Sequence, residues 1–181
     1  MGKPFRTAPI EMLAGWIFRE LEGGDTVMGI PVRNFQVPTA RMAFRRFGHA
    51  IAAPLGVAAG PHSQLAQNIV SSWLCGARFI ELKTVQILDE IEVSRPCIDV
   101  ADEGYNCEWS QELKLEESFR EYLNAWVLLH ALAHRMGLPG PGTHFNMSVG
   151  YDLKGIQTPR VQAYIAAMRA PGAASRTGRM S

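Results

Sequence analysis

The sequence lacks most of the features that assign a function at sight. Its charges nearly cancel, with 18 Lys and Arg against 17 Asp and Glu and a formal net charge of +1, so it offers no electrostatic footprint for nucleic acid. Cysteine is scarce. Cys75, Cys97 and Cys107 are odd in number, and no two stand at the two-residue spacing of a zinc site or a redox dithiol. A reducing, cytoplasmic setting without a resident metal is the expectation. No hydrophobic run approaches a membrane span: the longest weakly polar stretch, residues 50–60, is too short, and no apolar segment of a secretion signal follows Met1-Gly2-Lys3-Pro4. Arg6 stands where a myristoylation signal needs Ser or Thr. Neither membrane nor nucleic acid is an expected partner. G-x-G-x-x-G, Walker and nucleophile-elbow patterns are also missing.

What is present is the composition of a globular domain. An apolar fraction of 47% with 19% charged residues is too rich for a disordered chain. Residues 1–53 read as a helix, an extended lead-in and a hairpin. The helix covers about 9–21, with Thr7 as its cap and Gly23-Gly24 as its stop. Residues 25–40, with Pro31 and Pro38, lack periodicity and read as the extended lead-in; alternation around Phe44, Phe47 and Ile51, broken at Gly48, reads as a hairpin acting as a lid or plug.

From 54 to 169 the pattern becomes repeated strand, loop and helix, which predicts an α/β fold with a parallel sheet. The first unit pairs a strand ending in Ala58-Ala59-Gly60 with a helix that Ser63 caps, bearing Leu65, Ile69, Trp73 and Leu74 as far as Gly76. A second strand, 78–85, starts two residues after that glycine, as αβ connections prefer. A long irregular stretch, 86–111, follows and holds Arg95, Cys97, Asn106 and Trp109; loops of this length inside compact domains are usually functional or disordered. A helix over 112–136 carries Leu115, Phe119, Leu123, Trp126 and Leu129 on one stripe. A third strand, 144–150, and a third helix from Thr158-Pro159 complete three βα units. Residues 170–181 read as a disordered tail.

In parallel α/β folds the chemistry gathers at the carboxyl ends of the strands. There, Ala58-Ala59-Gly60 suits either tight packing or the close approach of a flat ligand to the backbone, with His62 just beyond. Lys83 and Thr84 end the second strand. Lys83 is either a surface or Glu81-paired lysine or a buried cation that meets an anionic or electron-accepting group; alternation puts it on one face with Glu81. Asn146, Ser148 and Gly150 share one face of the third strand, directed either inward at a ligand or outward as a polar rim. Asn106, between Tyr105 and Trp109, is either a turn former or a group that orients a planar polar substrate. His130 and His134, four apart on a helix, have no acidic companion in an H-E-x-x-H pattern and read as packing residues.

Three segments, APLGVAAGPHSQLAQNI (53–69), FIELKTVQILD (79–89) and FNMSVGYDLKGI (145–156), resemble in order and spacing the flavin-binding barrel of dihydroorotate and dihydropyrimidine dehydrogenases. More narrowly, residues 10–168, including RPCIDVADEGYNCEWS (95–110), resemble the amino-terminal part of proteins known as selenate reductase subunits. The resemblance implies a (β/α)8 TIM barrel with FMN at its carboxyl-end face, of which this chain would be a partial barrel: the first three βα units after an amino-terminal helix and hairpin. It implies that Ala58, Ala59 and Gly60 lay backbone against the flavin, that Lys83 and Thr84 reach its ring edge with Lys83 the catalytic cation, that Asn146 and Ser148 lie near flavin and substrate, and that Asn106 binds the substrate's polar edge. A cation beside the ring stabilises the negative charge of reduction.

A complete barrel needs roughly 250 residues, and its phosphate grip usually lies after strands seven and eight. The expectation is therefore an amino-terminal fragment of a flavin-dependent oxidoreductase, inactive alone, whose partners are a small-molecule substrate and the remaining barrel segments or redox subunits. Iron–sulfur clusters and FAD would belong to the remainder. The alternatives are a non-catalytic remnant or assembly subunit that has lost the cofactor, and an aldolase-like barrel using Lys83 as a Schiff-base amine.

Overall fold

The computed structural model describes residues 6–85, 98–100, 104–106, 113–150 and 152–169. Helix α1 (Ile10–Gly23) buries Leu13 and Ile17 and ends where Gly24 takes the left-handed conformation, φ 83°. Pro9, and not Thr7, is its N-cap residue, and no side chain caps it. The lead-in is more structured than its composition suggests. Strands β1 (Thr26–Val27) and β2 (Ile30–Pro31) form a small antiparallel hairpin. Its turn has Met28 at φ 52° and Gly29 at φ 76°, two successive left-handed residues whose twist matches that of the strands. Glu20 Oε2 accepts the Met28 N–H at 2.6 Å and ties this turn to α1. The expected second hairpin is present as β3 (Phe44–Arg46) and β4 (His49–Ile51), with the same pair of positive φ values at Phe47 and Gly48.

Strands β5 (Gly56–Val57) and β6 (Phe79–Val85) are joined through a 3-10 turn, Pro61–Gln64, and helix α2 (Ala66–Leu74). Within the stretch read as irregular, β7 (Ile98–Val100) and β8 (Gly104–Asn106) pair as an antiparallel ribbon. Arg95, Cys97, Cys107 and Trp109, like the tail 170–181, lie outside the described residues. Helix α3 (Leu115–Arg135), strand β9 (His144–Val149), the short α4 (Leu153–Ile156) and α5 (Pro159–Arg169) follow. The described chain is thus a mixed helix and strand fold built on a three-stranded sheet in the order β5-β6-β9, with both pairings parallel.

Register decides what each sheet face carries. Gly56 pairs with Phe79, Phe79 with His144, Ile80 with Phe145, Glu81 with Asn146 and Leu82 with Met147. Val57, Ile80, Leu82, Phe145 and Met147 turn towards the helices and join a core with Leu13, Ile69, Trp73, Phe119, Tyr122, Val161 and Tyr164. The opposite face, one residue out of phase, carries Phe79 and His144 at its foot and Glu81 and Asn146 above them, with Ser148 next along β9.

The β3–β4 hairpin closes the foot of that face. Phe47 contacts the rings of Phe79 and His144 at centroid distances of 6.3 and 5.7 Å, and His49 lies 4.9 Å from His144. Burial, with His49 as a second cause, lowers the pKa of His144. The hairpin sits at the strands' amino ends, away from the end where ligands collect in parallel α/β folds.

Candidate functional site at the carboxyl ends of the strands

The regular register of β6 and β9 stops at Leu82 and resumes with Val85 opposite Val149, so β6 holds one residue more than β9 across this interval. This is a bulge at Lys83–Thr84. It explains why Leu82 and Val85, three apart, both reach the helix-side core, whereas strict alternation would separate them. Lys83 is buried, with 7% of its surface exposed, which removes the surface-lysine reading. Tyr122 of α3 donates its hydroxyl hydrogen to the Lys83 carbonyl at 3.1 Å and fixes the bulge from the core side. Burial, first among the causes, pushes the Tyr122 phenol well above its ordinary value, so it stays a neutral donor. Thr84 lies towards β9: a Cβ added to Gly150 would stand 3.2 Å from its Cγ2.

Beside the bulge, the chain beyond Val57 forms a ledge. Continuing the β5–β6 register brings Ala58 level with Glu81 and Gly60 level with Lys83. Ala58 is exposed, Ala59 half-buried and Gly60 buried, and no side chain in the three is larger than a methyl. Glu81 does not spend its carboxylate on Lys83; its Oε2 accepts the Ala59 N–H at 3.4 Å. Ser63, expected to cap α2, holds the ledge instead. Its Oγ accepts from the Gly60 N–H at 3.2 Å and donates to the Gly60 carbonyl at 3.0 Å. The amino terminus of α2 is served from α3, where Glu121 Oε2 accepts the Ala66 N–H at 2.7 Å. Burial raises the Glu121 pKa, opposed by that N–H and by Arg120.

Lys83 and Thr84 at the β6 bulge, Ser148 next to Val149 on β9 and the Ala58–Gly60 segment beyond β5 all lie towards the carboxyl ends of the strands, with Asn146 paired with Glu81 below them. Phe145, Met147 and Val149 pack against the core, which leaves Asn146 and Ser148 on the side of β9 away from the helices. Asn106 closes β8 opposite Ile98, a position known for its backbone alone. Ser63, read from sequence as a helix cap, contributes here instead, and Tyr122 contributes although nothing in the sequence singles it out. His130 is exposed and its ring packs 4.8 Å from that of Trp126, a contact consistent with a packing role. Among the described residues, no helix is long and apolar enough to cross a membrane.

Comparison with known proteins adds the family. The family described as "Oxidoreductase YgfK, N-terminal TIM-barrel domain" matches residues 28–177. Two relatives named "Putative oxidoreductase YgfK", from Escherichia coli strain K12 and from Escherichia coli O157:H7, are each 50% identical over 168 residues. That alignment covers 91% of this chain and 16% of each relative, so the chain spans less than a fifth of the length of the curated relatives it matches.

Proposed function

The chain belongs to the family of the YgfK oxidoreductase amino-terminal TIM-barrel domain, and from that premise we propose that its three parallel strands are the first units of a (β/α)8 barrel whose carboxyl-end face holds FMN. The carrying observation is the bulge in β6. It keeps a buried cation, Lys83, towards the carboxyl end of β6 and level with a ledge of small residues. Bulges of this kind re-aim side chains at barrel rims and active sites.

The ledge suits a flat ring. Ala58 and Ala59 offer backbone and methyl groups only, and the ledge backbone is already held by Ser63 and Glu81. Lys83 would stand at the ring edge and Thr84 beside it, with Asn146 and Ser148 supplying amide and hydroxyl hydrogen bonds from β9. Asn106 would orient the polar edge of a small-molecule substrate. When bound, FMN supplies the acceptor and donor of electrons. The chain's own part is to seat the ring, exclude water from one side of it and keep a positive charge where reduction places a negative one. In this reading the phosphate grip, the general base and any FAD or iron–sulfur centre come from other barrel segments or redox partner subunits. The selenate name belongs to the resemblance alone, and the proposed roles need no oxyanion.

The test is flavin content. The native polypeptide in full, purified and heat-denatured, is expected to release one FMN per chain, identified by chromatography and fluorescence. Release of no flavin, or of FAD without FMN, overturns the proposal.

A further inference from the structure

Gly60 has φ −166° and ψ 173°, extended backbone open to any residue, so its conformation does not require glycine. The space beside it is nonetheless occupied. A Cβ at position 60 would stand 2.6 Å from Cε1 and 2.8 Å from Nδ1 of His62, which means that the imidazole rests where a side chain would begin. His62 is itself exposed, while the glycine beneath it is buried. Its backbone carbonyl is engaged by the Asn68 side chain at 3.1 Å and by the Leu65 N–H at 3.4 Å, so the peptide is anchored. Among the described residues the imidazole has no hydrogen bond of its own, so the ring can leave Gly60 by rotating about its side-chain bonds.

We propose that His62 is the gate of the ledge: its ring covers the Gly60 backbone in the ligand-free protein and must swing out before a flat, conjugated ring can lie there. This rests on the FMN reading and names the residue that controls access to that site. A planar ring and the imidazole compete for one patch of backbone, so the binding-competent state is the minor conformer with His62 turned away. If that conformer is populated to roughly a tenth, apparent affinity is reduced about tenfold, and removing the gate restores it.

The experiment mixes FMN with the cofactor-stripped native polypeptide in full and follows quenching of flavin fluorescence for wild type, His62→Ala and His62→Phe. His62→Ala is expected to associate about tenfold faster, with dissociation unchanged. His62→Phe, which keeps a ring over Gly60, should stay near the wild-type rate. An unchanged association rate in His62→Ala, with FMN still bound, overturns the gate and leaves the FMN reading standing. Faster dissociation in His62→Ala also overturns it, because the ring would then clamp the bound ligand. Failure of every protein to bind FMN overturns both. A separate readout uses the stripped protein alone. Gly60→Ala should shift the Cε1 proton resonance of His62, since the new methyl cannot share that space, and an unmoved resonance contradicts the geometry on which the gate depends.

Discussion

Replacing Arg78 by alanine should destabilise the chain by about 3–5 kcal/mol, a large part of the 5–15 kcal/mol that holds a typical domain together. Arg78 stands where all three parallel strands begin. Its N–H donates to the Leu55 carbonyl at 2.8 Å and its carbonyl accepts the His144 N–H at 2.9 Å. Its guanidinium, 2% exposed as a residue, donates to the carbonyls of Trp73 at 2.7 Å, Ala77 at 2.9 Å and Gln36 at 3.4 Å, and lies 4.5 Å over the Trp73 ring. Burial lowers its pKa to about 10, which still leaves it charged at neutral pH. Alanine leaves those carbonyls without their donor and opens a void against Trp73, and charge-assisted bonds contribute roughly 1.5–3 kcal/mol each. Arg78→Met keeps the volume and separates the two effects. It should recover about a third of the loss, as read from urea unfolding of the 181-residue chain.

A second large effect is expected from one methyl group at Gly56. The added Cβ would collide with the Phe79 carbonyl oxygen and stand 3.1 Å from the Phe79 Cβ, a clash with the backbone of the strand it pairs with. Neither chain can move without breaking the β5–β6 pairing. Gly56→Ala should cost about 2–4 kcal/mol and shift the ledge relative to Lys83, reducing stability and flavin retention together. Ala58→Gly, two residues on at an exposed position, should cost under about 1 kcal/mol and serves as the matched control. Equal unfolding midpoints for the two variants would contradict the pairing described for β5.

Long periodic elements were readable from sequence because burial dictates their pattern. Helix α3, strands β6 and β9 and the β3–β4 hairpin fall within a few residues of their expected bounds. The β1–β2 hairpin was not, since its strands have two residues each and its turn places Met28 where Asn or Asp would have signalled a left-handed residue. The β7–β8 ribbon was hidden for a similar reason, its short strands lying inside a long stretch without periodicity.

Around the candidate site, the strand-end residues are legible in the sequence and the devices that position them are not. Ser63 has the identity of a helix cap but bonds to Gly60, and the group at the start of α2 is Glu121, 55 residues further along the chain. The bulge has no glycine to announce it and is visible only in how Leu82 and Val85 pair with β9. On α3, Phe119, Tyr122 and Leu129 are buried, while Leu123 and Trp126, expected on one stripe with Phe119 and Leu129, are half-exposed. A hydrogen bond from a helix hydroxyl to a strand carbonyl leaves no periodic trace.

In the proposed site a flavin ring lies on the Ala58–Gly60 ledge with the Lys83 ammonium at its edge. The midpoint potential of the bound FMN, measured in the native polypeptide and in Lys83→Met, tests it most directly. Loss of a charge-assisted contact to the reduced ring, about 1.5–3 kcal/mol, should lower the two-electron potential by roughly 30–60 mV. FMN that binds with the same potential in both proteins would place Lys83 away from the ring and contradict the account.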